Sequence, residues 1–155
     1  MGRALEERLA TRRFEGPYHE AVLNVLLAGS HLRGMLEDVF AGAGVTAAQY
    51  NVLRILNGVF PEGYSRGEIA RRALDRSPDL TRMLDRLARA GLVQRARSSR
   101  DARQSVARIT PRGRVLLARL HGRVRMQHKA VEARLSAREA RELSRLCEKL
   151  WGPGE

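Results

Sequence analysis

Between Arg82 and Arg103 the chain carries seven arginines: Arg82, Arg86, Arg89, Arg95, Arg97, Arg100 and Arg103. A guanidinium is a planar fork of donors that stays charged at physiological pH, and it pairs bidentately with a phosphate or with the O6/N7 edge of guanine. That is the chemistry of recognition, not of bond making. Ser77, Asp79 and Thr81 stand just before the first arginine, and Asp101 stands two residues before the last. A carboxylate does not favour phosphate, so Asp101 is read as holding an arginine in one rotamer through a bidentate ion pair.

The remaining reactive groups are sparse. Cys147 is the single cysteine, which excludes an internal disulfide, a cysteine-built zinc cage and a disulfide-stapled secreted scaffold. It falls on an apolar helical stripe, where a packing role is expected in place of a redox role. His19, His31, His121 and His128 are scattered. Only the last two share a helix face, with no third ligand at suitable spacing, so no metal is expected. There is no Gly-rich phosphate loop, no nucleophile elbow and no cysteine beside a base. The expectation is a protein with no catalytic residues and no cofactor, not an enzyme.

Charge points the same way as the arginines. The 155 residues have a formal net charge of +12 and a pI near 11.4. Residues 1–64 sum to −1, residues 65–114 to +9 and residues 115–155 to +4. The excess is concentrated in the central third, which makes a polyanion the expected partner. Residues 1–6 have neither a signal-peptide core nor a myristoylation pattern, and the apolar run from Ala21 to Ala28 is broken by Asn24. A soluble, cytoplasmic protein with no membrane partner is expected.

The elements that must position these groups follow from periodicity and caps. A polar, frayed start precedes Pro17, which suits the first turn of a long helix running to about Phe40, with Val22, Leu23, Leu26, Leu27, Leu32, Met35, Leu36 and Val39 at helical spacing. Thr46-Ala47-Ala48-Gln49 has the form of a capping box and opens a buried helix running to about Phe60. Ser65-Arg66-Gly67-Glu68 opens a short helix with Ile69, Ala70 and Ala73 facing inward. Ser77-Pro78-Asp79 reads as a hydroxyl cap, a proline at the first helical position and an acid in the first turn. The helix it starts has Leu80, Met83, Leu84 and Leu87 on one face and is stopped at Gly91. The period then becomes two, over residues 92–97 and 104–109, giving a hairpin with Arg100, Asp101 and Arg103 near its tip. Thr110-Pro111 starts a helix to about Leu135, and Ser136-Ala137-Arg138-Glu139 caps a last one with Leu143, Leu146, Cys147, Leu150 and Trp151 on one stripe.

Two short helices joined by a tight turn, the second with a polar outer face, form a helix-turn-helix, and the hairpin after it is a wing. The expected fold is therefore mainly α with a small β-hairpin wing. Double-stranded DNA is the expected partner. Arg66, Ser77, Asp79, Thr81, Arg82 and Arg86 are the expected contacts from the helices, and Arg100, Asp101 and Arg103 those from the wing, with Arg103 entering a minor groove. The plainer alternative is a winged helix used only for protein contacts.

The segments TAAQYNVLRIL, SRGEIARR, PDLTRMLDRLARAGLVQR, RDARQ and ITPRG resemble the MarR-type winged-helix transcriptional regulators. Asp101-Ala102-Arg103 matches the Asp-x-Arg of that family's wing. The resemblance implies one subunit over residues 1–155, with a DNA-binding lobe at 46–113 and dimerisation helices at 17–42 and 114–151. It implies a homodimer on a pseudo-palindromic operator, acting in many relatives as a repressor released by a small aromatic effector. His31, Met35 and Tyr50 lie where such an effector cleft would fall. The many large apolar residues of the terminal helices argue separately for pairing about a two-fold axis. The rival reading is an architectural winged-helix protein that binds nucleic acid without sequence preference or ligand control.

Overall fold

Local capping chemistry sets most of the element boundaries. In a computed structural model, residues 3–11, 14–74, 79–97 and 105–152 are described, and among them are seven helices and one two-stranded antiparallel hairpin. The order is α1 (Arg3–Leu9), α2 (Pro17–Phe40), α3 (Ala47–Asn57), α4 (Arg66–Arg72), α5 (Leu80–Arg89), β1 (Val93–Arg97), β2 (Ser105–Ile109), α6 (Pro111–Glu132) and α7 (Ala137–Trp151). The expected mainly helical fold with a hairpin wing is the one observed.

Three capping boxes form as read. Thr46 Oγ1 accepts from the Gln49 amide at 3.2 Å while its own amide donates to Gln49 Oε1 at 2.9 Å. Ser65 and Ser136 make the same reciprocal pair with Glu68 and Glu139. Each box satisfies donors that a helix start leaves without partners. Thr110 caps α6, its hydroxyl accepting from the Gly113 amide at 3.1 Å, with Pro111 in the first turn.

The chain divides into two units, residues 1–38 and 39–155. In the first, the start read as polar and frayed contains α1, whose Leu5 is buried and whose Arg3 and Glu7 pair one turn apart at 3.1 Å. Alanine, leucine and an i,i+4 ion pair favour helix even in a charged stretch. In the second unit the core gathers Val52, Leu53 and Leu56 of α3, Ile69 of α4, Leu84 and Leu87 of α5, Val93 of β1, Val106 and Ile109 of β2, and Leu117, Leu120 and Val124 of α6. α3 packs against α4, α6 and β2, and α5 packs against α4 and β1.

Several expected boundaries shift. α3 ends at Asn57, with Gly58 as its cap, short of the expected Phe60. Ala70 is exposed, so the inward face of α4 rests on Ile69, with Ala73 half-buried. α5 begins at Leu80 with Asp79 at the cap position, later than Ser77-Pro78 implied, and Met83 is half-buried beside its leucines. α6 ends at Glu132, three residues before the expected Leu135.

Candidate nucleic-acid interface

α5 has two unlike sides. Leu80, Leu84 and Leu87 are buried, while Thr81, Arg82, Arg86 and Arg89 are exposed. The apolar side fixes the helix on the core and leaves the hydroxyl and the guanidiniums facing solvent, as readout of a groove by a helix requires. Asp79 lies between two of these cations, with Oδ1 3.5 Å from Arg82 Nε and Oδ2 3.7 Å from Arg86 Nη2.

The hairpin is joined to α5 by side chains as well as by sequence. Its strands pair antiparallel with Val93 opposite Ile109 and Arg97 opposite Ser105. Arg95 of β1 reaches back to Asp85 of α5, Nη2 to Oδ1, at 2.5 Å. Arg95 is thus a strut between α5 and the wing. A short bridge adds a third line of chain, since the Tyr64 amide donates to the Ala107 carbonyl at 3.1 Å and the Ala107 amide donates to the Tyr64 carbonyl at 2.9 Å. Arg72 lies 4.2 Å over the Tyr64 ring and donates to the Glu68 carbonyl at 2.9 Å, so it braces α4 against this bridge. Arg66 is exposed at the start of α4.

Two glycines hold this frame together, and no local signal reveals them. A Cβ on Gly63 would lie 2.4 Å from the Ala107 carbonyl oxygen, and one on Gly113 would lie 2.4 Å from that of Leu92. Both allow backbone to approach backbone where any side chain would intrude. Near the second, Thr110 also donates its hydroxyl to the Gly91 carbonyl at 2.7 Å, and its amide bonds the Leu92 carbonyl at 3.1 Å.

Thr81, Arg82 and Arg86 are exposed on α5, with the half-buried Asp79 beside the two arginines, and Arg66 is exposed on the helix before it. Ser77, Arg100, Asp101 and Arg103 lie outside the described residues. Sequence reasoning did not single out Asp85 as the partner of Arg95. The signal available was an acid midway along a helix whose other polar residues are mostly cations.

A separate groove of about 790 Å³ runs between α3 and α6. Val115, Leu117 and Ala118 give it apolar walls, and Tyr50, Arg54 and His121 are among its polar residues. Arg114 also lines it, with its guanidinium held 4.3 Å over the Phe60 ring. Tyr50 is buried and stacks on Phe40, ring centres 4.7 Å apart. His31 is exposed and Met35 half-buried on α2. Among the described residues no group of three or more His, Cys, Asp or Glu side chains could hold a metal, and no helix is long and apolar enough to cross a membrane.

Comparison with known proteins agrees with this geometry. Residues 43–104 match the model of the MarR family. An HTH-type transcriptional repressor of Mycobacterium tuberculosis is 35% identical over 133 residues, covering 84% of this chain and 94% of the repressor. Among solved structures, a MarR transcription factor from Planctomyces limnophilus is 37% identical with a TM-score of 0.66, over 88% of this chain and 98% of that one. A mutant of E. coli MarR in complex with operator DNA is 26% identical with a TM-score of 0.72, over 82% of this chain and 90% of that one. An exposed cationic helix strutted to a hairpin wing, in a chain 35% identical to a repressor over 133 aligned residues, places the protein in the MarR family of winged-helix, DNA-binding transcriptional regulators.

Proposed function

We propose that the protein is a sequence-specific repressor that binds a pseudo-palindromic operator as a homodimer and releases it when a small aromatic effector binds. The observation that carries the reading is α5, where Thr81, Arg82 and Arg86 share the face opposite three buried leucines. Hydroxyls and forked guanidiniums on a helix face are the groups that discriminate base edges in the major groove. In this reading Arg66 holds a phosphate, Ser77 and Arg100 add contacts to the DNA, and Arg103 of the wing enters the minor groove, with Asp101 orienting an arginine.

Pairing is supported by α7. None of its residues is buried, yet Leu143, Leu146, Leu150 and Trp151 share one stripe. A second copy supplies the cover such a face lacks. Regulation is supported by the groove between α3 and α6, where apolar walls and two guanidiniums suit a small aromatic carboxylate. Tyr50 belongs to it, while His31 and Met35 enter the proposed effector set from the family's pattern. An aromatic effector is in keeping with the similarity to a homoprotocatechuate degradative operon repressor of E. coli, 29% identical over 110 residues.

The deciding measurement is affinity for a duplex selected by the protein from a random pool, compared with an unselected duplex of equal length. A repressor is expected to prefer the selected duplex by about 10³ or more. A ratio near one would leave an architectural protein in its place.

A further inference from the structure

Phe40 and Phe60 are used in opposite ways. Phe40 is buried and stacks on Tyr50, whereas Phe60 is 45% exposed. It follows α3 in a turn, its amide donating to the Asn57 carbonyl at 3.3 Å, and its ring lies 4.3 Å beneath the Arg114 guanidinium of α6. Arg114 lines the groove between α3 and α6, and Phe60 does not. The polar residues lining that groove, among those described, are Tyr50, Arg54, Asn57, Arg114 and His121, and none is acidic.

We propose that Phe60 is a positioning residue, which holds Arg114 ready for the carboxylate of an aromatic ligand and so makes the groove prefer the acid to its neutral amide. It acts from outside the groove, and its role rests on the groove being the effector site. A guanidinium meets a ring through its flat face, while its N–H donors lie in its plane and point outward from the edge. The ring and a carboxylate therefore use different parts of Arg114. A loose arginine must give up rotamer freedom to grip an anion, and one already lying on a ring has given up part of it beforehand. Fixing one long side chain in advance corresponds to about threefold to tenfold in affinity. Among the described residues cation and ring meet at Arg114 with Phe60 and at Arg72 with Tyr64, so Arg54 of the same groove is a comparison that has no ring beneath it.

The test is isothermal titration calorimetry of the full chain with benzoate, phenylacetate and cinnamate, each against its carboxamide. Wild type should prefer each acid. Phe60→Leu keeps an apolar side chain and removes the ring face, so it should weaken the acids by about threefold to tenfold and leave the amides within about twofold. Phe60→Trp should retain the preference, since indole is the best partner for a cation. Arg114→Ala should weaken the acids by about tenfold or more, and adding Phe60→Leu to it should change nothing further. In an Arg54→Ala background Phe60→Leu should keep its full effect. A Phe60→Leu protein with the wild-type ratio of acid to amide overturns the inference, and so does a loss shared equally by acid and amide or one that persists without Arg114, because the ring then acts on the fold and not through the guanidinium. A wild-type protein that binds none of the six compounds defeats the effector reading instead, and that failure is read before any variant is made.

Discussion

α5 and α7 are built on the same plan and end in opposite states. Both are amphipathic and rich in arginine. α5, with 10 residues, buries Leu80, Leu84 and Leu87. α7, with 15, buries none, and Leu143, Leu146, Leu150 and Trp151 remain 46–75% exposed. An apolar stripe therefore says which side of a helix wants cover, but not what supplies it. For α5 the cover is the chain's own core. For α7 the proposal assigns it to a second copy, so the same pattern serves the fold in one place and assembly in the other.

The sharpest way to break this contrast is to charge the α7 stripe. Leu143→Asp with Leu150→Asp is expected to yield a monomer by light scattering and to lower affinity for the selected duplex by about 100-fold or more, since one half-site offers too few contacts. A dimer that persists would remove the assembly role. Next in size is Leu87→Ala on α5. Leu87 is 1% exposed, and a cavity there is expected to cost about 2–5 kcal/mol in urea unfolding, independent of protein concentration. Leu146→Ala should instead lower stability in a concentration-dependent way. Arg82→Ala leaves both apolar faces intact and is expected to cost about 1–3 kcal/mol of binding, with relaxed preference at one symmetric pair of positions by competition with operator variants.

The smallest effect concerns a cap. Hydrogen bonds from the Ser65 amide and hydroxyl hold the Glu68 carboxyl below its ordinary value of 4.5 against the opposing effect of burial, with smaller help from Arg72 and Arg71. A carboxyl depressed in the folded state stabilises it fully above the ordinary value and loses that contribution as pH falls through the folded one. Ser65→Ala is expected to cost about 1 kcal/mol near neutral pH. The difference from wild type should shrink as pH falls below 4.5 through the depressed folded-state value, as followed by urea melts over an acid pH series.

Legibility tracked the range of the interactions. The caps at Thr46, Ser65, Thr110 and Ser136 were readable because donor and acceptor are three residues apart. Gly91 was readable too, since its φ of +69° is the stop that a glycine after a helical run announces. α1 was missed because its polar residues hid good helix formers, and the start of α5 was misplaced because Ser77-Pro78 offered a stronger local cap than Asp79. Of the candidate interface, the face carrying Thr81, Arg82 and Arg86 followed from a helical period. The Asp85–Arg95 strut and the roles of Gly63 and Gly113 did not, since their partners are ten or more residues away and only packing brings them together.

The Thr110 junction also makes α6 a lever. Thr110 joins the end of α5, the base of the hairpin and the first turn of α6 through one hydroxyl and one amide. α6 has 22 residues and so extends about 33 Å from that fulcrum. A rigid tilt of about 5° at the junction moves its far end by about 3 Å, and the reverse displacement rotates the hairpin base by the same angle. Mechanical work done at the distant end of this helix is thus delivered at the foot of the wing, with no loop between them to absorb it.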